Sequence, residues 1–296
     1  MPTLRTRIAP TPSGRLHIGN GVSFIVTWVL ARANAGKILL RIDDLDADRS
    51  RKKYVNDIFE TLEWLGLDYD EGPSGPDDFY ANYSQHLRLP LYQEALETLR
   101  NSGHLFACTC SRRQIRRQSG DGRYPGTCHG RNLDWWAPKT AWRVRVPDTA
   151  IVSFEEWQRG LQKVSLGTEM GDFVIRQKNR QPAYQISSLI DDLYWNINFV
   201  VRGEDLLPST AAQLYLAQLL DQRAFSKATF WHHRLLTNDQ GEKLSKSKAA
   251  ESLKVRREMG HGPEELYRLA AHWLGVGHDV DTTLPDLVAA VARNKT

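Results

Sequence analysis

A proline- and glycine-rich loop, wedged between a short strand and a long apolar run, does most to fix what this chain can fold into. It reads Ala9-Pro10-Thr11-Pro12-Ser13-Gly14-Arg15-Leu16-His17-Ile18-Gly19-Asn20. The run ending in Ile8 predicts a strand, and the prolines bar its continuation. Val22 to Ala33 is apolar nearly all round and predicts a helix packed on a sheet. Lys37 to Ile42 predicts a buried parallel strand. Together these make one βαβ unit, with the loop at the carboxyl end of the first strand, where ligands bind in open α/β sheets. Unpaired N–H groups at the helix start suit a phosphate. Gly14 and Gly19 let the backbone approach such a ligand, and His17 offers a donor to its oxygens. The spacing matches neither G-x-x-x-x-G-K-[ST] nor G-x-G-x-x-G. Asp43 and Asp44 end the second strand on the same side.

A second stretch, Lys243-Leu244-Ser245-Lys246-Ser247, follows the turn Thr237-Asn238-Asp239-Gln240-Gly241. Mobile lysines beside hydroxyls suit a reaction whose transition state gains charge on phosphate oxygens. Paired with the first loop, it resembles the HIGH and KMSKS signatures of class I aminoacyl-tRNA synthetases. The flank from Arg7 to Gly19 and the run Trp64 to Pro73 are similar to the glutamyl branch of that family. Asn20 departs from the pattern, standing where many synthetases have a second histidine; both side chains donate hydrogen bonds.

The resemblance implies a Rossmann-like α/β catalytic domain that activates L-glutamate with ATP and Mg²⁺. His17 and Lys246 would be catalytic, with ATP bound by Gly14, His17, Gly19, Asn20, Lys243, Ser245 and Lys246. Glutamate would be held by Arg7, Ile8, Ala9, Pro10, Thr11, Asp43, Tyr184 and Arg202. On chemistry alone, Arg7 and Arg202 are the guanidinium candidates for a carboxylate. Asp43 stands where the family commonly has Glu, one methylene longer.

Net charge is +4, permissive of a nucleic-acid partner without demanding one. Its distribution says more: Arg112, Arg113, Arg116, Arg117, Arg123 and Arg131 face only Asp121 between Ser111 and Arg131. All three cysteines, Cys108, Cys110 and Cys128, fall beside or inside that window. An odd, clustered set argues for a metal site rather than a disulfide framework. Four ligands are needed for structural zinc. On first principles His129 or His104 is the better fourth, while the resemblance implies Tyr124 and one structural Zn²⁺.

Along the chain, Tyr54 to Leu65 predicts a helix ended by Gly66, and Leu87 to Leu99 another with Pro90 near its start. Thr140–Val146, Asp172–Arg176, Asn198–Arg202 and Phe230–Leu236 read as strands. Ser209 or Thr210 is expected to cap a helix reaching Leu220, with later helices at Pro263–Leu274 and Leu284–Val291. The expected organisation is a catalytic domain over 1–106 and 168–247, an inserted zinc-containing, acceptor-type subdomain over 107–167, and a short helical region over 248–296.

From Lys248 to Thr296 there is too little chain for the long helical anticodon-binding region of a full glutamyl synthetase. The resemblance therefore narrows to the truncated branch, the glutamyl-queuosine tRNA(Asp) synthetases. It implies glutamate transfer to queuosine at the wobble position, with the anticodon loop of tRNA(Asp), L-glutamate and ATP as partners. A cytoplasmic monomer without membrane contact is expected. Charging of an acceptor 3′ end, and an inactive RNA-binding paralogue, are the alternatives.

Overall fold

A computed structural model describes residues 3–236, 252–277 and 282–294. In chain order it contains β1 (Arg5–Ile8), α1 (Ile18–Arg32), β2 (Lys37–Leu40), α2 (Lys52–Trp64), α3 (Leu89–Asn101), β3 (Leu105–Cys108) and α4 (Arg112–Gln118). There follow β4 (Ala141–Val144), β5 (Ile151–Glu156), β6 (Gly160–Ser165), β7 (Phe173–Arg176), α5 (Tyr184–Tyr194), β8 (Phe199–Gly203) and α6 (Leu207–Leu219). The last elements are β9 (Thr229–His233), α7 (Leu253–Glu258), α8 (Glu264–Leu274) and α9 (Leu284–Arg293). The chain divides into two compact units, one of residues 1–87, 197–205 and 231–296, the other of 88–196 and 206–230.

In the first unit β1 and β2 pair in parallel, Arg5 opposite Lys37 and Ile8 opposite Leu40. The pairing continues past both strands, where Arg41 N–H donates to Ile8 O and Asp43 N–H to Pro10 O, each at 2.9 Å. The loop is thereby fixed against the end of β2. Asn198, just before β8, exchanges two bonds with Arg5, its side-chain oxygen accepting at 2.8 Å and its N–H donating at 3.0 Å. Val22, Ile25, Val26 and Val29 of α1 are fully buried, as an all-round apolar helix requires.

Helix α1 starts at Ile18, four residues earlier than its apolar run, because His17 is its N-cap and Asn20 closes the first turn. Gly66, at φ +65°, ends α2 as expected, and Pro90 lies in the first turn of α3. Gly21 has a role that its place in the sequence does not announce. A Cβ there would sit 2.5 Å from Leu266 Cδ2 and 3.0 Å from Leu253 Cδ1, both on wholly buried leucines. Only glycine lets α1 approach α7 and α8 this closely. Gly21→Val should therefore cost about 1–3 kcal/mol by overpacking, seen as a lower urea midpoint; an unchanged midpoint would show that the leucines move aside freely.

In the second unit β3, β4 and β7 form an antiparallel sheet in that order. The hairpin β5–β6 is an addition to the strands expected from sequence. Gln158 and Gly160, at φ +63° and +66°, carry its turn. Parallel pairing of β5 with Thr229 and Phe230 adds the start of β9. Helix α6 corrects the expected cap: it begins at Leu207 with Pro208 in its first turn. Ser209 instead accepts from Gln185 Nε2 at 3.1 Å, and Thr210 donates to Leu206 O at 3.3 Å. Arg88 and Asp191 make a buried two-pronged ion pair, with bonds of 2.7 and 3.2 Å, and Tyr92 donates to the same carboxylate at 2.6 Å.

Candidate active site and metal centre

The first unit brings the loop, Arg7, Arg202 and Asp43 onto neighbouring strand ends. Arg7 in β1 and Arg202 in β8 are 4% and 5% exposed. Arg7 Nη1 donates to Val201 O at 3.1 Å, which sets its guanidinium beside the residue preceding Arg202. Guanidiniums on neighbouring strands are the donor type that a carboxylate takes in two-pronged fashion. Asp43 receives Arg41 Nε at 2.8 Å and Nη2 at 3.1 Å, one on each oxygen. Asp44 turns elsewhere: it accepts from Ser84 Oγ at 2.6 Å and Gln85 N–H at 2.8 Å, so it caps a short helical turn.

Loop carbonyls are committed to structure, with Thr11 O accepting from Ser13 N–H at 2.9 Å and Pro12 O from Arg51 N–H at 3.3 Å. Gly14 faces open space on the side a Cβ would occupy. A Cβ on Gly19 would meet the His17 ring at 3.0 Å, so glycine lets the imidazole lie across the helix start. Asn20 Oδ1 accepts from His17 N–H at 3.0 Å. Its oxygen therefore serves the helix cap, and only its NH₂ remains for a ligand. Leu253 N–H donates to Leu16 O at 2.8 Å, and His17 bridges Ser252.

His233 carries a structural role in the same unit. Its Nδ1–H donates to Arg234 O and its Nε2 accepts from Ser23 Oγ, both at 2.9 Å, which fixes its tautomer. It also stacks on Trp273 at 4.3 Å. A histidine pair at the end of a strand gives no sequence signal of such a role. Lys243, Ser245 and Lys246 lie outside the described residues. Tyr184 opens α5 in the second unit, 42% exposed.

The second unit also gathers the thiols. Cys108, Cys110 and Cys128 place their sulfurs within 4.8 Å of one another. Cys110 and Cys128 are 3.6 Å apart, and Tyr124 Oη stands 3.5 Å from Cys108 Sγ and 3.8 Å from Cys110 Sγ. Tetrahedral zinc with ordinary bond lengths implies S···S near ~3.8 Å and S···O near ~3.5 Å. The set fits, and these residues could hold a metal ion. Cys128 N–H donates to Tyr124 Oη at 2.7 Å, and Arg143 lies 4.2 Å above the phenol ring. The Cys128 N–H bond favours a phenolate. Of the histidines, His129 is held by Asp172 at 2.6 Å with its ring edge on Phe106, and His104 is exposed.

Without metal, burial opposes ionisation of Cys128. Bonds from Tyr124, the Thr109 backbone and the other two thiols outweigh it and bring the thiol down to about 7. Burial, then the Cys128 bond and the Cys108 charge, push Cys110 up. The Tyr124 phenol is pushed far up by burial and by its bonds to Cys108 and Cys128.

Around this knuckle, helix α4 is opened by Ser111, whose hydroxyl accepts from Gln114 N–H at 3.2 Å while Gln114 Oε1 accepts from Ser111 N–H at 2.7 Å. Ile115 alone is buried on it. Arg112, Arg113, Arg116 and Arg117 are exposed, and none is ion-paired among the described residues.

A βαβ unit with a phosphate-type loop at the strand end, beside two buried arginines, defines a nucleotide-dependent enzyme of the class I synthetase kind. The chain belongs to the family of class I tRNA synthetase (E and Q) catalytic domains, which matches residues 3–277. It is 37% identical over 298 residues to the glutamyl-Q tRNA(Asp) synthetase of Cupriavidus metallidurans, covering 98% of this chain and 90% of that one. The Nitratidesulfovibrio vulgaris protein of the same name is 35% identical, with 87% of this chain and 82% of that one covered. A glutamate–tRNA ligase of Symbiobacterium thermophilum is 36% identical over 89% of this chain, which spans only 56% of that ligase. A solved glutamate tRNA ligase of Elizabethkingia meningosepticum, in complex with its amino acid, superposes with a TM-score of 0.78 at 23% identity, over 98% of this chain and 65% of that one. That likeness concerns the fold. No helix among the described residues is long and apolar enough to cross a membrane.

Proposed function

We propose that the protein activates L-glutamate with ATP and transfers the glutamyl group to queuosine at the wobble position of tRNA(Asp). The observation that carries this reading is alignment along about nine-tenths of glutamyl-Q tRNA(Asp) synthetases. The pair Arg7 and Arg202, positioned for a side-chain carboxylate, supports glutamate as the amino acid.

In the first step the α-carboxylate of glutamate attacks the α-phosphorus of ATP. A mixed anhydride forms and pyrophosphate leaves, its charge shared with Mg²⁺. No covalent enzyme intermediate is needed, so positioning and charge stabilisation carry the step. Arg7 and Arg202 hold the side-chain carboxylate, Asp43 takes the amino group, and Gly14, Gly19 and Asn20 leave room and donors for the nucleotide; Tyr184 is a further substrate contact that the family resemblance implies. His17 contacts the phosphate chain, and Lys246 takes the charge that develops there. In the second step a hydroxyl of the queuosine diol attacks the anhydride carbonyl, releasing AMP. The arginines of α4 suit RNA phosphates, which position a strand without reading it.

Glutamate-dependent ATP–pyrophosphate exchange tests the first step, and transfer of labelled glutamate to tRNA(Asp) tests the second. Exchange without transfer would leave an amino-acid activator with another acceptor. No exchange would overturn the enzyme.

Cys108, Cys110, Cys128 and Tyr124 hold one structural Zn²⁺ in this reading, cross-linking the knuckle. Elemental analysis of protein purified without chelator should find about one zinc per chain. Metal uptake should release protons, and affinity should fall as pH drops through about 7, where Cys128 takes up its proton. Tyr124→Phe should weaken retention against a chelator; full retention would move the fourth position to water.

A further inference from the structure

Arg176, the last residue of β7, is 4% exposed. Among the described residues its guanidinium has neither a carboxylate nor a hydrogen-bond acceptor. It lies instead 4.5 Å from the ring centre of Trp142 and 4.9 Å from that of Trp136. The same unit treats another buried arginine quite differently, since Arg88 has the full fork of Asp191. The acid nearest in influence, Glu97, is taken by Arg100 at 2.6 Å. Burial, and then the Arg180 charge, pull the Arg176 pKa below the usual guanidinium value, with Glu97 opposing. The arrangement keeps an uncompensated cation next to an aromatic surface.

Trp136 is 47% exposed and packs edge-on against Trp142 at 5.2 Å. Arg180 Nη2 donates to Trp136 O at 3.3 Å from a turn in which Arg180 holds φ +70°. That conformation is uncommon for a side chain of this size. Lys178 Nζ donates to Thr109 O at 2.6 Å, tying the same turn to the loop between Cys108 and Cys110. A half-exposed indole beside two guanidiniums that have no carboxylate partner among the described residues matches what a single-stranded nucleotide offers: a planar base and a phosphate. An acidic peptide would use the cations and leave the indole face unused.

We propose that Trp136 and Arg180 form a subsite for one single-stranded RNA nucleotide, its base stacked on Trp136, whose ring the buried Arg176 cation backs, and its phosphate on Arg180. The proposal rests on the reading of the protein as acting on a tRNA. It adds a foothold that neither the amino-acid site nor the α4 arginines supply.

The test measures equilibrium binding of a queuosine-bearing anticodon stem-loop of tRNA(Asp), across a salt series, by the full chain and its variants. Trp136→Ala should weaken binding about tenfold or more, and Trp136→Phe should restore most of it. Arg180→Gly relieves the backbone conformation while removing the cation. It should lower the slope of log K against log salt by about 0.7, the value for one phosphate on a single strand. Thermal unfolding and glutamyl-adenylate formation check that each variant is folded. If the wild type transfers glutamate while Trp136→Ala and Arg180→Gly bind as it does, with the same slope, the subsite is overturned and the proposed function stands. If the wild type binds no RNA, both fall together.

Discussion

A short stem-loop carrying the anticodon of tRNA(Asp), with queuosine at its wobble position, is expected to accept labelled glutamate from this protein and ATP. The same loop with guanine at that position is expected to accept none. The difference is one of nucleophiles, because only queuosine presents the cyclopentenediol to the anhydride. The guanine loop carries the same 3′ ribose diol, so a difference between the two loops isolates the queuosine diol from esterification of a 3′ end. Replacing Arg112, Arg113, Arg116 and Arg117 by alanine should weaken use of the loop while adenylate formation continues. These side chains are exposed and unpaired among the described residues, and Ile115 alone anchors their helix. Each phosphate that is no longer neutralised should lower the salt slope by about 0.7–0.9. Faster transfer to the 3′ end of tRNA(Glu) would refute the queuosine reading and favour an ordinary charging enzyme.

Lys246→Ala is expected to slow glutamyl-adenylate formation by about 10²–10³, the usual effect of removing one group that stabilises transition-state charge. Glutamate affinity should change little, because the proposed glutamate contacts, Arg7 and Arg202, lie on β1 and β8. Lys246 lies outside the described residues, and its assignment rests on the sequence Lys243–Ser247. Pyrophosphate exchange separates the two quantities: the rate at saturating glutamate should collapse while the half-saturating concentration holds. An unchanged rate would remove Lys246 from the reaction.

Much of this was legible in the residues because the chain states its local physics openly. Two prolines, a glycine pair and an all-round apolar helix left few folds open, and β1, α1 and β2 follow them closely. The thiols were equally readable, since three cysteines within one window have few other uses. Tyr124 was suggested by family resemblance alone: a phenol announces nothing by its own chemistry until a backbone N–H and two sulfurs surround it. The early start of α1 was hidden because its N-cap, His17, is not a usual capping residue, and the side-chain bond that closes the first turn comes from Asn20, three residues further on. Ser209 and Thr210 misled for the opposite reason, being good caps that tertiary packing assigned to other partners. Gly21 and the β5–β6 hairpin depend on neighbours distant in sequence, which single-residue preferences do not encode.

The bond from Lys178 to the carbonyl of Thr109 carries a thermodynamic obligation. Thr109 lies between two thiols of the metal knuckle, and Lys178 lies between Arg176 and Arg180. Anything that orders the knuckle therefore restricts the turn, and anything that seats the turn restricts the knuckle. Linkage makes such an exchange symmetrical: the factor by which bound metal tightens RNA is the factor by which bound RNA tightens metal. A chain stripped of its ion would then hold RNA more weakly although every RNA-facing side chain is still in place. In the proposed reading, an ion at the thiols would then set RNA affinity without touching RNA.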